Sequence, residues 1–275
     1  MKEYKLPIGC DVPETIILAD GDFPSHPLAL EWLRQCPYVV CCDGAANTYI
    51  RSGRMPEAIV GDGDSLLPGI KERYASLIHS ETEQETNDLS KAFRFCLSQE
   101  RKRITIMGAT GKREDHTIGN VSLLADYMEK AEVNMMTDYG IFVPIKEDSM
   151  FESYIGQQIS IFNMNSTVLF AEGLAYPLSV FTNWWQGTLN EALAKHFIIR
   201  TEGKVLVFRT FSSKNEESFN FFYFVTDYAS TAGTTETDLL SSRPTLKHTV
   251  PSTKAKRVWS RPIPMFSPGW NSVPL

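Results

Sequence analysis

Short apolar runs that each close on an acidic or glycine-rich turn constrain this chain more than any other feature. Thr15–Ala19, Tyr38–Cys42, Ala58–Val60 and Ile104–Met107 are such runs. Bounded by turn residues, they read as buried strands. Leu77–His79 is a further short candidate. Between them lie helical stretches: Pro27–Gln35, Ala45–Arg51, a segment around Ile70–Ser76, Thr86–Gln99 and His116–Met128. Thr86–Gln99 is the clearest, because Leu89, Ala92, Phe93, Cys96 and Leu97 recur at helical spacing, with Thr86 as the expected N-cap. Strand and helix alternating in this way predict a largely parallel sheet with helices on both faces, since each parallel connection must cross over the sheet.

The pattern changes near residue 130. Val133–Thr137, Ile141–Val143, Gln158–Phe162, Thr167–Ala171, His196–Thr201 and Val205–Phe208 read as strands punctuated by Gly, Asn, Asp and Pro. The predicted organisation is an α/β domain over residues 1–130 and an all-β, sandwich-like domain over 131–210. Residues 211–275 are rich in Ser, Thr and Pro and read as a poorly ordered extension, with one candidate strand at Phe219–Val225.

Charge narrows the partners. The 275 residues carry a formal net charge of −6, and no Lys/Arg block precedes the last segment. Nucleic-acid binding needs a concentrated basic surface, so it is not expected. The cysteines Cys10, Cys36, Cys41, Cys42 and Cys96 are odd in number and form no C-x-x-C pair, which argues against a zinc site or a disulfide framework. Met1–Glu14 lacks the apolar core of a signal peptide, and no run is long enough to span a membrane. The expectation is a cytoplasmic protein with no membrane partner.

Chemistry is sought at the strand ends, because ligands of open α/β sheets bind beyond the carboxyl ends of the strands. The ends here carry Asp20-Gly21-Asp22, Asp43-Gly44-Ala45-Ala46-Asn47, Gly61-Asp62-Gly63-Asp64-Ser65 and Gly108-Ala109-Thr110-Gly111-Lys112-Arg113-Glu114-Asp115-His116. Clustered carboxylates repel one another and call for a cation. Oxygen donors suit Mg²⁺, which takes phosphate oxygens as further ligands. Acids beside Lys and Arg therefore suggest a nucleoside polyphosphate site. Each motif alone is also an ordinary turn or a solvated helix start. No P-loop, Gly-x-Gly-x-x-Gly loop, Gly-x-Ser-x-Gly elbow or His-Glu-x-x-His occurs.

Together these stretches, with Gln84-Glu85-Thr86-Asn87-Asp88-Leu89-Ser90-Lys91-Ala92 and Asn120, resemble the thiamin pyrophosphokinases over roughly residues 15–210. The resemblance implies transfer of the pyrophosphoryl group of ATP to the thiamin hydroxyl, giving AMP and thiamin diphosphate. It also implies a homodimer with the active site at the subunit interface. By that resemblance Asp62, Asp64, Asp88 and Asp115 hold Mg²⁺ and, with Arg113, carry catalysis. Asp43, Gln84, Lys91, Arg113 and His116 contact ATP. Asp43, Asn47, Tyr176, Thr188 and Asn190 lie on the thiamin side. Lys112 stands where family members often have a second glycine, and Glu83 where an aspartate is common. Two other readings keep the same motifs: transfer to another small alcohol, or a regulator that binds thiamin or nucleotide without turnover.

Overall fold

The computed structural model describes residues 1–211. The expected extension, including the candidate strand Phe219–Val225, therefore lies outside the described residues apart from Phe211. Five α-helices are present: α1 Pro27–Gln35, α2 Ala45–Arg51, α3 Pro68–Arg73, α4 Asp88–Ser98 and α5 Glu114–Tyr127. The strands are β1 Lys2–Tyr4, β2 Thr15–Leu18, β3 Val39–Cys42, β4 Ala58–Gly61, β5 Ile78–Ser80, β6 Arg103–Met107 and β7 Glu132–Met136, followed by β8 Gly140–Ile145, β9 Ser149–Glu152, β10 Gln158–Asn163, β11 Leu169–Glu172, β12 Asn190–Glu191, β13 His196–Thr201 and β14 Val205–Thr210.

The alternating apolar runs do form a parallel sheet, ordered β5-β4-β3-β2-β6-β7. Period-two alternation buries both of its faces. Ile17, Val40, Val60 and Ile106 pack with Leu89, Ala92, Phe93 and Cys96 of α4 and Leu124 of α5. Ile16, Leu18, Val39, Cys41 and Ile59 face the other way, against Leu28, Ala29, Trp32 and Leu33 of α1 and Tyr49 of α2. Phe93 stacks on Tyr127 with ring centroids 3.9 Å apart, which ties α4 to α5. The N-cap of α4 is Asn87, whose side chain accepts from the Ser90 N–H, and not Thr86. Thr86 is instead held by Glu83.

Near residue 130 the strand direction changes, but the sheet does not break. β7 runs parallel to β6 and antiparallel to β8. The sheet then continues as β8-β14-β10-β12, all antiparallel. A second sheet, β1-β9-β13-β11, shares a core with it. Val143, Ile159, Ile161 and Val207 from the first meet Phe151, Phe197 and Ile199 from the second. The described chain is thus α/β in its N-terminal part and mostly β in its C-terminal part.

The N-terminal strand β1 crosses to the β-rich end and pairs in parallel with β9. Arg209 of β14 fixes it there. Its guanidinium donates to Glu152 O at 2.8 Å and Lys5 O at 2.9 Å, and it lies 5.1 Å from the Phe151 ring centroid. Burial pulls its pKa down to about 10, partly offset by Glu152 and Tyr4. Replacing Arg209 by alanine should leave buried carbonyls without donors and cost about 3 kcal/mol of stability. Thermal melts check this; an unchanged melting temperature would show that β1 is held by its strand pairing alone.

Candidate active site

Chain building reverses between β2 and β6. The chain first runs outward from β2 through β3 and β4 to β5, then returns to lay β6 on the other side of β2. At such a switch point the loops beyond the strand ends diverge and leave a crevice. A cleft of about 440 Å³ lies there, lined by residues that include Asp20, Asp62, Gln84, Asp88, Lys91 and Arg113. Lys112, His116 and Asn120 also line it.

Glycines let the loops approach. A Cβ at Gly21 would collide with the backbone carbonyls of Gly108 and Thr110, so only glycine lets the β2 loop lie against the β6 loop. Gly61, with φ +157, sits where a Cβ would be 2.8 Å from Asp43 Cβ and 3.4 Å from Asp88 Cγ. These two carboxylates therefore flank the end of β4.

The carboxylates differ in environment. Asp62 accepts from the Asp64 N–H at 3.1 Å and from Gln84 Nε2 at 3.5 Å. The Asp64 N–H is the main reason its pKa lies below the usual carboxylate range. Asp88 takes the Lys91 ammonium at 3.0 Å. Lys91 is 2 % exposed, and burial alone would lower its pKa. Its hydrogen bond to Asp88 and the charges of Asp88, Asp62 and Glu83 outweigh burial and raise it, so the lysine stays charged.

Asp43 is 3 % exposed with φ +31, a left-handed backbone that few non-glycine residues adopt. One carboxylate oxygen accepts from the Ser65 N–H at 3.0 Å; the other, Oδ1, is buried with no hydrogen-bond partner. Burial, opposed by the Ser65 bond and reinforced by Asp88 and Asp62, pushes its pKa up. Asp43 is thus a strained, buried carboxylate repelled by Asp88 and Asp62, with one oxygen left unpartnered.

The four aspartates expected to share a metal are not gathered. Asp62 and Asp88 line the main cleft. Asp64 lines a neighbouring hollow with Gly63, Leu66, Pro68, Lys71 and Glu72. Asp115 is bound by Arg113 at 3.0 Å through Nε and by the His116 N–H at 2.9 Å, chiefly Arg113 holding its pKa at about 2. Among the described residues no three His, Cys, Asp or Glu side chains could hold a metal by themselves. Two of the four are already paired with a cation, Asp88 with Lys91 and Asp115 with Arg113, whereas Asp62 is held by the Asp64 N–H and Gln84.

Gln84, Lys91, Arg113 and His116 do come together on the cleft. Asn47 does not line it: its amide donates to Ser65 O at 2.8 Å and accepts from the Leu67 N–H at 3.0 Å, bracing the Asp62–Asp64 turn. Tyr176, Thr188 and Asn190 lie outside the cleft of their own chain. Asn190 is buried and spends its amide on Tyr176, accepting from its N–H at 3.0 Å and donating to its carbonyl at 2.8 Å. Thr188 donates to Trp185 O at 2.7 Å. Tyr176 itself is 58 % exposed, near exposed Trp184, Trp185 and Leu189 in sequence.

The sequence reading omitted Asp20 and Arg94 from the site. Asp20 was visible as a strand-end acid. Arg94 was not, because nothing local marks it. It donates to Glu81 at 3.0 Å, Glu83 at 2.7 Å and Thr86 at 3.0 Å, and so holds the loop that carries Gln84 and Asp88. Glu83, the expected departure, is thereby a loop brace. Its pKa falls to about 2, mainly through Thr86 and then Arg94.

Comparison with known proteins places this geometry. The family model described as "Thiamin pyrophosphokinase, catalytic domain" matches residues 29–137, and "Thiamin pyrophosphokinase, substrate-binding domain" matches residues 140–208. Thiamine pyrophosphokinase 1 of Oryza sativa is 30 % identical over 135 residues, 40 % of this chain and 51 % of the relative. Thiamin pyrophosphokinase 1 of Caenorhabditis elegans is 32 % identical over 101 residues, 34 % of this chain and 41 % of the relative. The chain thus spans about half the length of the curated relatives it matches. Thiamin pyrophosphokinase from Candida albicans shares the fold with a TM-score of 0.63 at 18 % identity, over 77 % of this chain and 93 % of that one. The Bacillus subtilis enzyme does so with a TM-score of 0.61 at 20 % identity, over 71 % and 98 %. Both halves of the described chain are matched in order, and the chain belongs to the thiamin pyrophosphokinase family.

Proposed function

We propose that this protein transfers the pyrophosphoryl group of ATP to the hydroxyl of thiamin, yielding thiamin diphosphate and AMP. The observation that carries this is the switch-point cleft, which opposes acids (Asp20, Asp62, Asp88) to bases (Lys91, Lys112, Arg113, His116) within the region matched to the catalytic domain. In this reading residues 1–130 bind ATP and residues 131–210 serve thiamin.

The primary alcohol of thiamin forms a bond to the β-phosphorus and gives up its proton to solvent, while the bond from that phosphorus to the bridging oxygen breaks and AMP leaves with that oxygen. Such transfers depend mostly on positioning and on neutralising charge. Mg²⁺ fits the oxygen donors present: it commonly takes one or two carboxylates plus phosphate oxygens and water, and Asp62 and Asp88 are the carboxylates that would hold it. Bound there, it would neutralise phosphate charge. Arg113 and His116 would bear on the phosphates from the N-terminal end of α5, where the helix dipole also favours an anion. Lys91, charged and buried, holds the Asp88 carboxylate in place. Asp43 would raise the negative potential beneath the cation.

Thiamin would be completed by a second copy of the chain. Tyr176, Trp184, Trp185 and Leu189 expose apolar surface on the β-rich part, away from the cleft of the same chain. An aromatic face suits a cationic thiazolium. Turnover compared across thiamin, other small primary alcohols and water tests the acceptor. Equal rates with other alcohols would sink thiamin as the substrate. ATP binding without AMP release would favour a regulator.

A further inference from the structure

One ion pair crosses the mouth of the cleft. Lys112 Nζ donates to Asp20 Oδ1 at 3.1 Å. Asp20 follows β2 and Lys112 lies in the loop after β6, so the pair spans the two strands between which the chain reverses. The side chains are 55 % and 46 % exposed, and both line the cleft. Water screens such a pair, so it adds little to stability and its placement is better explained by the site.

The two ends are not equally fixed. A Cβ at Gly44 would lie 2.6 Å from Asp20 Oδ2, so the carboxylate is seated against the start of α2. Lys112 reaches it on a flexible four-carbon stem. Buried Lys91 is committed to Asp88, while Lys112 and Arg113 are each held only by an exposed, screened pair. Both can change partner at little cost, and Lys112 is the one whose present partner lies on the opposite loop of the cleft. A polyphosphate in the crevice offers it several anionic oxygens in place of one carboxylate.

We propose that Lys112 is a phosphate-binding residue that exchanges Asp20 for the phosphate chain when nucleotide enters, so that Asp20 is an internal competitor that sets affinity. The inference rests on reading the cleft as the nucleotide site. It predicts opposite signs for the two partners, which a purely structural ion pair would not give. Calorimetric titration of the full chain with ATP and with inorganic tripolyphosphate, each with Mg²⁺, tests it. K112A weakens both ligands by about tenfold or more, the loss of one charge-assisted contact. D20N tightens both by up to about fivefold, the release of an exposed ion pair. In the K112A background, D20N has a smaller effect. Parent-like binding by K112A, weaker binding by D20N, or equal D20N effects in both backgrounds would overturn the exchange. Failure of the parent itself to bind either probe would instead remove the nucleotide reading, a result separable from any variant effect.

Discussion

Replacing Asp62 by asparagine lowers pyrophosphoryl transfer by about 10²–10³-fold, the usual loss when one preorganised electrostatic partner is removed from a transition state. The fold is retained. Asparagine keeps the shape and the oxygen that accepts from the Asp64 N–H, so the Gly61–Ser65 turn stays formed. What disappears is the negative charge, which the Asp64 N–H and Gln84 otherwise stabilise in the ionised form. Steady-state rates and thermal melts together decide the point. The expected pair of results is a large fall in kcat and a melting temperature within about 2 °C of the parent, as for exposed substitutions. Near-parent turnover would remove Asp62 from the mechanism. The same substitution at Asp64 is the natural companion, because Asp64 lines the neighbouring hollow and not the main cleft.

Asp43→Asn should raise stability at neutral pH and still impair the enzyme. The carboxyl is buried, repelled by Asp88 and Asp62, and held above its ordinary pKa. The sign follows from linkage. A raised folded pKa gives stability that is complete below the unfolded value of about 4 and is lost as pH rises through the folded value. That contribution declines as pH rises above about 4, so the parent is less stable at neutral pH than at pH 4 on account of this group. Asparagine removes it, tolerates the positive φ and can still accept from the Ser65 N–H. Melts of both proteins in metal-free buffer should show the variant ahead at pH 7 and the gap closing towards pH 4. A gap that ignores pH, or a less stable variant at pH 7, would contradict the account. Turnover should fall roughly 10- to 100-fold, as when a group supporting a metal site is changed.

Much of this was legible in the sequence because the relevant forces are local. Short continuous apolar runs bounded by turns marked β2, β3, β4 and β6, and helical spacing marked α4. The strand-end acids then had to converge, since a parallel sheet places all its carboxyl ends on one edge. What failed to show was long-range. Lys2–Tyr4 is three residues with charged neighbours, and it becomes a strand only because β9 and Arg209 meet it from more than a hundred residues away. The continuity of the sheet through β7 was hidden for the same reason: in sequence, the change from parallel to antiparallel pairing shows only as a change of pattern near residue 130. The family resemblance implied one cluster of Asp62, Asp64, Asp88 and Asp115. It did not show that Arg113, Lys91 and Lys112 would each engage an acid, which depends on side-chain reach across loops. Asn47 and Asn190 were placed on the thiamin side by the family resemblance, and an amide can both donate and accept. That capacity is spent on backbone groups instead.

The most direct test of the central claim is product identity. Purified protein is given ATP, Mg²⁺ and thiamin, and AMP and thiamin diphosphate are quantified together, with controls lacking thiamin or metal. The account predicts the two products in equal amounts and only in the complete mixture. ADP with thiamin monophosphate, or AMP released without thiamin diphosphate, would contradict it.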